Sequence, residues 1–166
     1  MLLEGSYGNQ TSNCRRPCLY REDHRSGFRA GDTYTIEPEI SEADAIAYWT
    51  APDKTTFVTL VDGEVLGTYY IKANQAGGGS HVCNCGYMTS DAATGRGIAS
   101  SMCEHSLSFA KSLGFKAMQF NFVASNNLGA IRLWKKFGFE VAGRLPAAFK
   151  HPSEGYVDAL VMYREL

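Results

Sequence analysis

Thr94-Gly95-Arg96-Gly97-Ile98-Ala99 joins a strand-like run, His81 to Thr89, to a helix-like one ending near Leu113. Downstream, Ala99, Met102, Cys103, Phe109 and Leu113 recur at helical spacing, and Gly114 supplies the stop. The corner therefore ends on a helix N-terminus, which offers unpaired backbone N–H groups and the positive end of the helix dipole. Glycines before such a terminus let the backbone approach a phosphate closely. A Gly-x-Gly alone also fits a plain tight turn, so the neighbouring residues have to discriminate.

Two phosphate motifs are tested by side chains. A P-loop needs Gly-Lys-Ser/Thr where the helix starts, and the chain has Gly97-Ile98-Ala99. A dinucleotide fold accepts Ser100 as its third small residue but needs an acidic residue about 20 positions on for the ribose. From His105 to Phe139 there is no acidic residue at all. The same stretch carries Lys111, Lys116, Arg132, Lys135 and Lys136, a local excess that favours an anionic ligand.

Working outward, Glu42 to Trp49 reads as a short helix capped by Ser41. Thr56–Val61 and Val65–Ile71 flank Asp62-Gly63, a two-residue hairpin signal. Gly77-Gly78-Gly79 marks a mobile loop before the strand at His81. Ala117 to Val123 alternates, with Met118, Phe120 and Phe122 on one face and Gln119, Asn121 and Val123 on the other. Asn127 opens a helix with Ala130, Ile131, Trp134 and Phe137, closed by Gly138. Phe139–Gly143 and Val157–Tyr163 are the last strands, joined by a loop containing Pro146 and Pro152. Strands interleave with helices, so the expected class is mixed α/β with a central sheet. Residues 1–31 are expected to form an irregular lead-in with a short strand and helix, and residues 32–166 the folded domain.

The chain has 166 residues, 45% of them hydrophobic, enough for one domain with its own core. A formal charge of -1 argues against a nucleic-acid binder, which lives on phosphate neutralisation. No apolar run reaches the roughly 18 residues of a membrane helix. Nothing near Met1 reads as a signal peptide, and five cysteines is an odd number, so reduced thiols and a cytoplasmic location are expected.

The pattern Thr94-x-x-Gly97-x-Ala99, then Asn127-x-x-Ala130-Ile131-x-Leu133-Trp134-Lys135-Lys136-Phe137-Gly138-Phe139, resembles the GCN5-related N-acetyltransferase (GNAT) family. The resemblance runs from about Asp32 to Leu166. It implies a twisted mixed sheet, flanked by helices on both faces, whose two central parallel strands, His81–Thr89 and Ala117–Val123, splay apart for acetyl-coenzyme A. It implies cofactor contacts from Thr94, Gly95, Arg96, Gly97, Ile98 and Ala99 to the pyrophosphate. Asn127, Ala130 and Trp134, with backbone groups of Tyr87, Met88 and Thr89, would then hold the pantetheine arm. Thr94 stands where the family has Gln or Arg, which removes one side-chain contact. Trp134 stands where many members have a tyrosine acid, and an indole is a poor proton donor. Within the family, Leu66–Lys72, Asn84, Asn121, Asn127, Trp134 and Val157-Asp158-Ala159 look closest to acetyltransferases of azetidine-2-carboxylate, a proline analogue.

The implied activity is acetyl transfer to the amine of a small molecule, an amino or imino acid, by direct attack in a ternary complex. Polarisation of the thioester would come from a backbone N–H near Tyr87. No carboxylate lies in the middle of either splayed strand, but Asn84 and Asn121 do. They are the candidates for orienting the acceptor; asparagine is no base at neutral pH, so the proton would leave through water or a backbone carbonyl. Each also has a plain alternative, as a satisfied structural amide. Cys83-x-Cys85 with His81 or His24 lacks a second well-spaced ligand pair, and no metal site is expected. Tyr69-Tyr70 is expected to be half core and half cleft wall, and Asp91 a loop residue. The rival reading is an acyl-CoA-binding or interaction module without catalysis. The sheet edge leaves room for a homodimer.

Overall fold

The computed structural model describes residues 34–37 and 39–166. The lead-in expected over residues 1–31 lies outside the described residues. The described elements run α1 (Glu42–Trp49), β1 (Thr55–Val61), β2 (Glu64–Ala73), β3 (Val82–Thr89), α2 (Ile98–Ser112), β4 (Ala117–Ala124), α3 (Leu128–Lys136), β5 (Glu140–His151) and β6 (Gly155–Glu165). Single 3-10 turns at Gly77–Gly79 and Asp91–Ala93 precede β3 and α2. Six strands form one sheet in the order β1-β2-β3-β4-β6-β5. Only the β3–β4 pair is parallel; every other neighbour is antiparallel.

Local chemistry explains the joints. Asp62 and Gly63 both have positive φ, 53° and 81°, as a type I′ hairpin requires. The Ser41 side chain accepts from the Asp44 N–H and starts α1. Trp49 then docks α1 on the sheet: its indole N–H donates to Thr68 Oγ1 at 2.9 Å, and Thr56 Oγ1 donates to the Trp49 carbonyl at 2.8 Å.

The helices lie on opposite faces of the sheet. On one, Ile98, Met102, Cys103, Ser106, Leu107 and Ala110 of α2 form a buried stripe at helical spacing. Cys103, Leu107 and Ala110 of that stripe share a cluster with Ile71, Cys83, Cys85, Met118, Phe120, Trp134 and Phe139. Leu113, expected in this stripe, is 53% exposed at the C-cap, after the last helical residue Ser112. On the other face, Ala45 and Trp49 of α1 meet Tyr70 and Met88.

Two expectations need correction. The alternation assigned to Ala117–Val123 breaks, because β4 carries one extra residue between Phe120 and Val123 against β6. Val123 is therefore buried with Phe120, while Phe122 turns to Phe149. The segment read as a loop with Pro146 and Pro152 belongs mostly to β5, a long edge strand whose register shifts around Pro146. A proline there is tolerated because one side of an edge strand has no ladder to lose.

Gly86 stands where the sheet admits no side chain. A Cβ there would sit 2.6 Å from Tyr70 Cε1, and the Tyr70 ring is itself held edge-on by Trp49 at 4.9 Å between centroids. Gly86→Ala is expected to cost about 1–3 kcal/mol through overpacking, read as a lowered midpoint in urea. Unchanged stability would mean that the ring moves freely.

Candidate active site

The parallel strands pair only at Val82–Ala117 and Cys83–Met118. Beyond that point they part, and the split begins with a side chain: Asn84 Nδ2 donates to the Gln119 carbonyl at 2.8 Å. The bulge in β4 lies just past this bond. Strand β3, by contrast, keeps an unshifted antiparallel register with β2 from Cys83 to Thr89.

That register fixes which backbone groups are free. The Asn74 N–H donates to Val82 O, and the Ser90 N–H donates to Leu66 O, so even-numbered positions of β3 face β2. By strand alternation the backbone groups of Cys85, Tyr87 and Thr89 face the opened edge. Met88, expected beside Thr89 as a backbone contact, turns its N–H and C=O to β2 instead. The Tyr34 hydroxyl donates to the Tyr87 carbonyl on the opened edge.

Side chains divide the same way. Cys83, Cys85 and Tyr87 point toward α2, and Asn84 and Met88 toward α1. A cavity of about 820 Å³ touches both sets, so it passes through the sheet at the split. On the α2 side its walls include Ala99, Asn127, Ala130 and Trp134; on the α1 side they include Tyr34, Tyr48, Tyr70, Lys72 and Asn84. Asn121 lines it from β4. The structure thus brings Asn84, Asn121, Tyr87, Asn127, Ala130 and Trp134 around one space.

Of the corner, Ala99 lines this space on the α2 side, while Thr94, Gly95, Arg96, Gly97 and Ile98 are not among its lining residues. Gly95 and Gly97 have φ of 73° and 76°, left-handed values that glycine adopts without a Cβ penalty. The first intrahelical bond is Ser101 N–H to Gly97 O, so the N–H groups of Ile98, Ala99 and Ser100 are left for a ligand. Ile98 itself is 8% exposed and packs in the core, leaving only its backbone for that task. Thr94, Gly95 and Arg96 are exposed on the turn before it.

Several side chains have settled partners. Asn127 Oδ1 accepts from the Ala130 N–H at 3.0 Å and caps α3. Trp134 packs its ring on Tyr87 and Phe120, at 4.9 and 4.8 Å between centroids. The Tyr87 hydroxyl lies 2.6 Å from Ser106 Oγ, and burial pushes its pKa well above the ordinary tyrosine value. Asn121 Oδ1 accepts from Gln119 Nε2 at 2.8 Å, and its Nδ2 donates to Asn74 Oδ1 at 2.7 Å. Tyr69 is in the core and Tyr70 on the cavity wall, as the alternation requires.

Cys83 and Cys85 are buried thiols, the latter's pKa raised by burial and by its neighbour Cys83. His81 is exposed and bonds the Gly78 carbonyl at 3.1 Å. Among the described residues no three metal-ligating side chains converge; His24 lies outside them. No helix of the described residues is long and apolar enough to cross a membrane.

Sequence reading missed Tyr34, Tyr48, Lys72 and the cavity role of Asp91. Lys72 had a signal: it lies two residues after Tyr70 on the same strand face. Asp91 opens the 3-10 turn capped by Ser90, and that turn carries it to the wall.

A split parallel pair beside a glycine corner at a helix N-terminus defines an acyltransferase scaffold, and the comparisons agree. The profile of the Acetyltransferase (GNAT) family matches residues 19–139, and the chain belongs to that family. N-acetyltransferase aca1 of Schizosaccharomyces pombe is 38% identical over 112 residues, 67% of this chain and 54% of that protein. The chain thus spans about half the length of that curated relative. A GCN5-related N-acetyltransferase from Kribbella flavida is 39% identical with a TM-score of 0.81, covering 86% of this chain and 87% of that one. A phosphinothricin acetyltransferase from Sinorhizobium meliloti, solved in complex with AcCoA, shares the fold at a TM-score of 0.75 and 24% identity over 87% of this chain and 80% of that one.

Proposed function

We propose that the chain is an acetyl-coenzyme-A-dependent N-acetyltransferase acting on the amine of a small molecule, an amino or imino acid, in a ternary complex. The observation that carries this reading is the cavity crossing the sheet at the split, with strand-edge donors in its middle and Ala99, at the start of α2, on its α2 side. The residues fit the co-substrate. Ile98, Ala99 and Ser100 supply backbone donors for a pyrophosphate, and the opened edge at Tyr87 and Thr89 takes an extended amide chain as an added strand. Asn127 and Ala130 line the same route, and Trp134 backs it as a packing surface. Acetyl-coenzyme A brings the activated acyl group.

The protein's part is placement and electrostatics. The Tyr87 N–H faces the opened edge, where it meets negative charge gathering on a carbonyl oxygen. Asn121, held on both sides by Gln119 and Asn74, keeps one N–H and one lone pair for an acceptor. Its fixed amide contributes by orienting the amine for attack. Among the described residues the one carboxylate lining the cavity, Asp91, stands past the end of β3 at the corner and away from Asn121, so the amine proton leaves through water or a backbone carbonyl. We infer a cytoplasmic enzyme, whose buried thiols stay reduced.

Release of free thiol from acetyl-coenzyme A over a panel of amines tests this reading. Binding of coenzyme A without thiol release over the whole panel would support the binding-module alternative. Asn121→Ala is expected to lower kcat/KM for the acceptor about ten-fold while leaving the KM for acetyl-coenzyme A within about two-fold. Equal loss on both substrates would show that Asn121 does not serve the acceptor.

A further inference from the structure

On the α1 side of the cavity, Lys72 and Asn84 stand directly opposite each other on β2 and β3. Cross-strand partners point to the same face, with Cβ atoms about 5 Å apart. Both line the cavity. Around them the walls are Tyr34, Tyr48 and Tyr70, phenols that contribute no negative charge: burial raises the pKa of Tyr34 and Tyr70 far above the ordinary value. Asp91, the one carboxylate lining the cavity among the described residues, stands beyond the far end of β3, at the corner.

A second ammonium reinforces the sign of this region. Lys54 Nζ lies over the Tyr48 ring at 3.4 Å and over Tyr70 at 4.5 Å, bracing two wall residues. Its pKa is lowered by burial and then by the charge of Lys72. Against them stands one carboxylate outside the wall, Asp53, whose Oδ2 accepts from Lys72 Nζ at 3.0 Å. Among the described residues, these two ammonium groups against one carboxylate leave this side of the cavity cationic.

We propose that Lys72 is the anion-binding group of the acceptor site, and that it selects acceptors carrying a carboxylate beside the amine. The inference rests on the transferase reading above and adds to it the residue that reads the acid. Asp53 already shows what Lys72 holds: a carboxylate within direct hydrogen-bond reach. A substrate carboxylate takes that place or shares the ammonium, with the opposed Asn84 and the Asn121 amide beside it. An amine lacking the acid leaves Lys72 with Asp53 and gains nothing from it.

The experiment compares kcat/KM by thiol release for matched sets: an amino or imino acid, its carboxamide and its decarboxylated amine, on proline and alanine scaffolds. In the wild type the acid is expected to exceed both neutral forms by at least about ten-fold. In Lys72→Met the ratio of acid to carboxamide should collapse toward one, mostly through a raised KM for the acid. Lys72→Arg should restore most of the preference, and Asp53→Asn should lower the KM for the acid by removing the competitor. An acid-to-carboxamide ratio near one in the wild type, or a ratio that persists in Lys72→Met, overturns the assignment while the transferase reading stands. No thiol release from any compound overturns the transferase reading itself, and this inference with it.

Discussion

Gly97→Glu is expected to abolish coenzyme A binding while leaving most of the folded structure in place. Two separate effects act at this position. The first is conformational: Gly97 has φ of 76°, and any residue with a Cβ costs about 1–2 kcal/mol there. The second is electrostatic. Nothing lies within 4 Å of a Cβ built at Gly97, so the side chain leaves the backbone into open space. Its carboxylate then competes for the N–H groups of Ile98, Ala99 and Ser100 and repels the pyrophosphate. A like charge about 4 Å away costs about 4 kcal/mol near a protein surface, which corresponds to a loss of about a thousand-fold in affinity. Gly97→Ala carries the strain without the charge and should bind within about ten-fold of the wild type. Calorimetric titration with coenzyme A measures both, and thermal unfolding of each variant separates binding from folding. Tight binding by Gly97→Glu would remove the pyrophosphate from this corner.

The corner was readable because its chemistry is local. Glycines before a helix start, and the absence of acids from His105 to Phe139, are all written in the sequence itself. The Asp62-Gly63 turn and the Ser41 and Asn127 caps were readable for the same reason. The bulge in β4 was not, since Met118 to Val123 alternates without a break in the sequence. The extra residue appears only against β6, where Phe120 and Val123 pair with positions two apart. In β5, prolines suggest a loop wherever the strand is imagined as central, and nothing local says that it is an edge. The site follows the same division. Strand membership placed Asn84 and Asn121 beside one cleft, but the partners that define them, Gln119, Asn74 and Lys72, belong to other strands or to the strand's own edge.

Asn84→Asp carries the second large effect, and it falls on stability. In the native chain the Asn84 amide donates across the point where β3 and β4 part, at 9% exposure. A carboxylate there can only accept, and it faces a carbonyl oxygen that also accepts. Two acceptors meeting in a buried place, one of them charged, should cost about 3 kcal/mol relative to the wild type. The pH dependence follows from the same geometry. Lys72, opposite on β2, is already paired with Asp53, so burial and the opposing carbonyl prevail and raise the pKa of Asp in the folded variant above its unfolded value of about 4. Below about pH 4 both states are protonated, the acid O–H donates to Gln119 O, and the deficit nearly vanishes. As pH rises from there to the folded pKa, the variant progressively loses stability relative to the wild type. Asn84→Ala, which removes the donor without adding a charge, should show a smaller deficit of about 1 kcal/mol with no such slope. Urea unfolding at several pH values distinguishes these cases. A variant as stable as the wild type at neutral pH would mean that the amide does not bridge the split, and that Asn84 stands in the cavity for the acceptor alone.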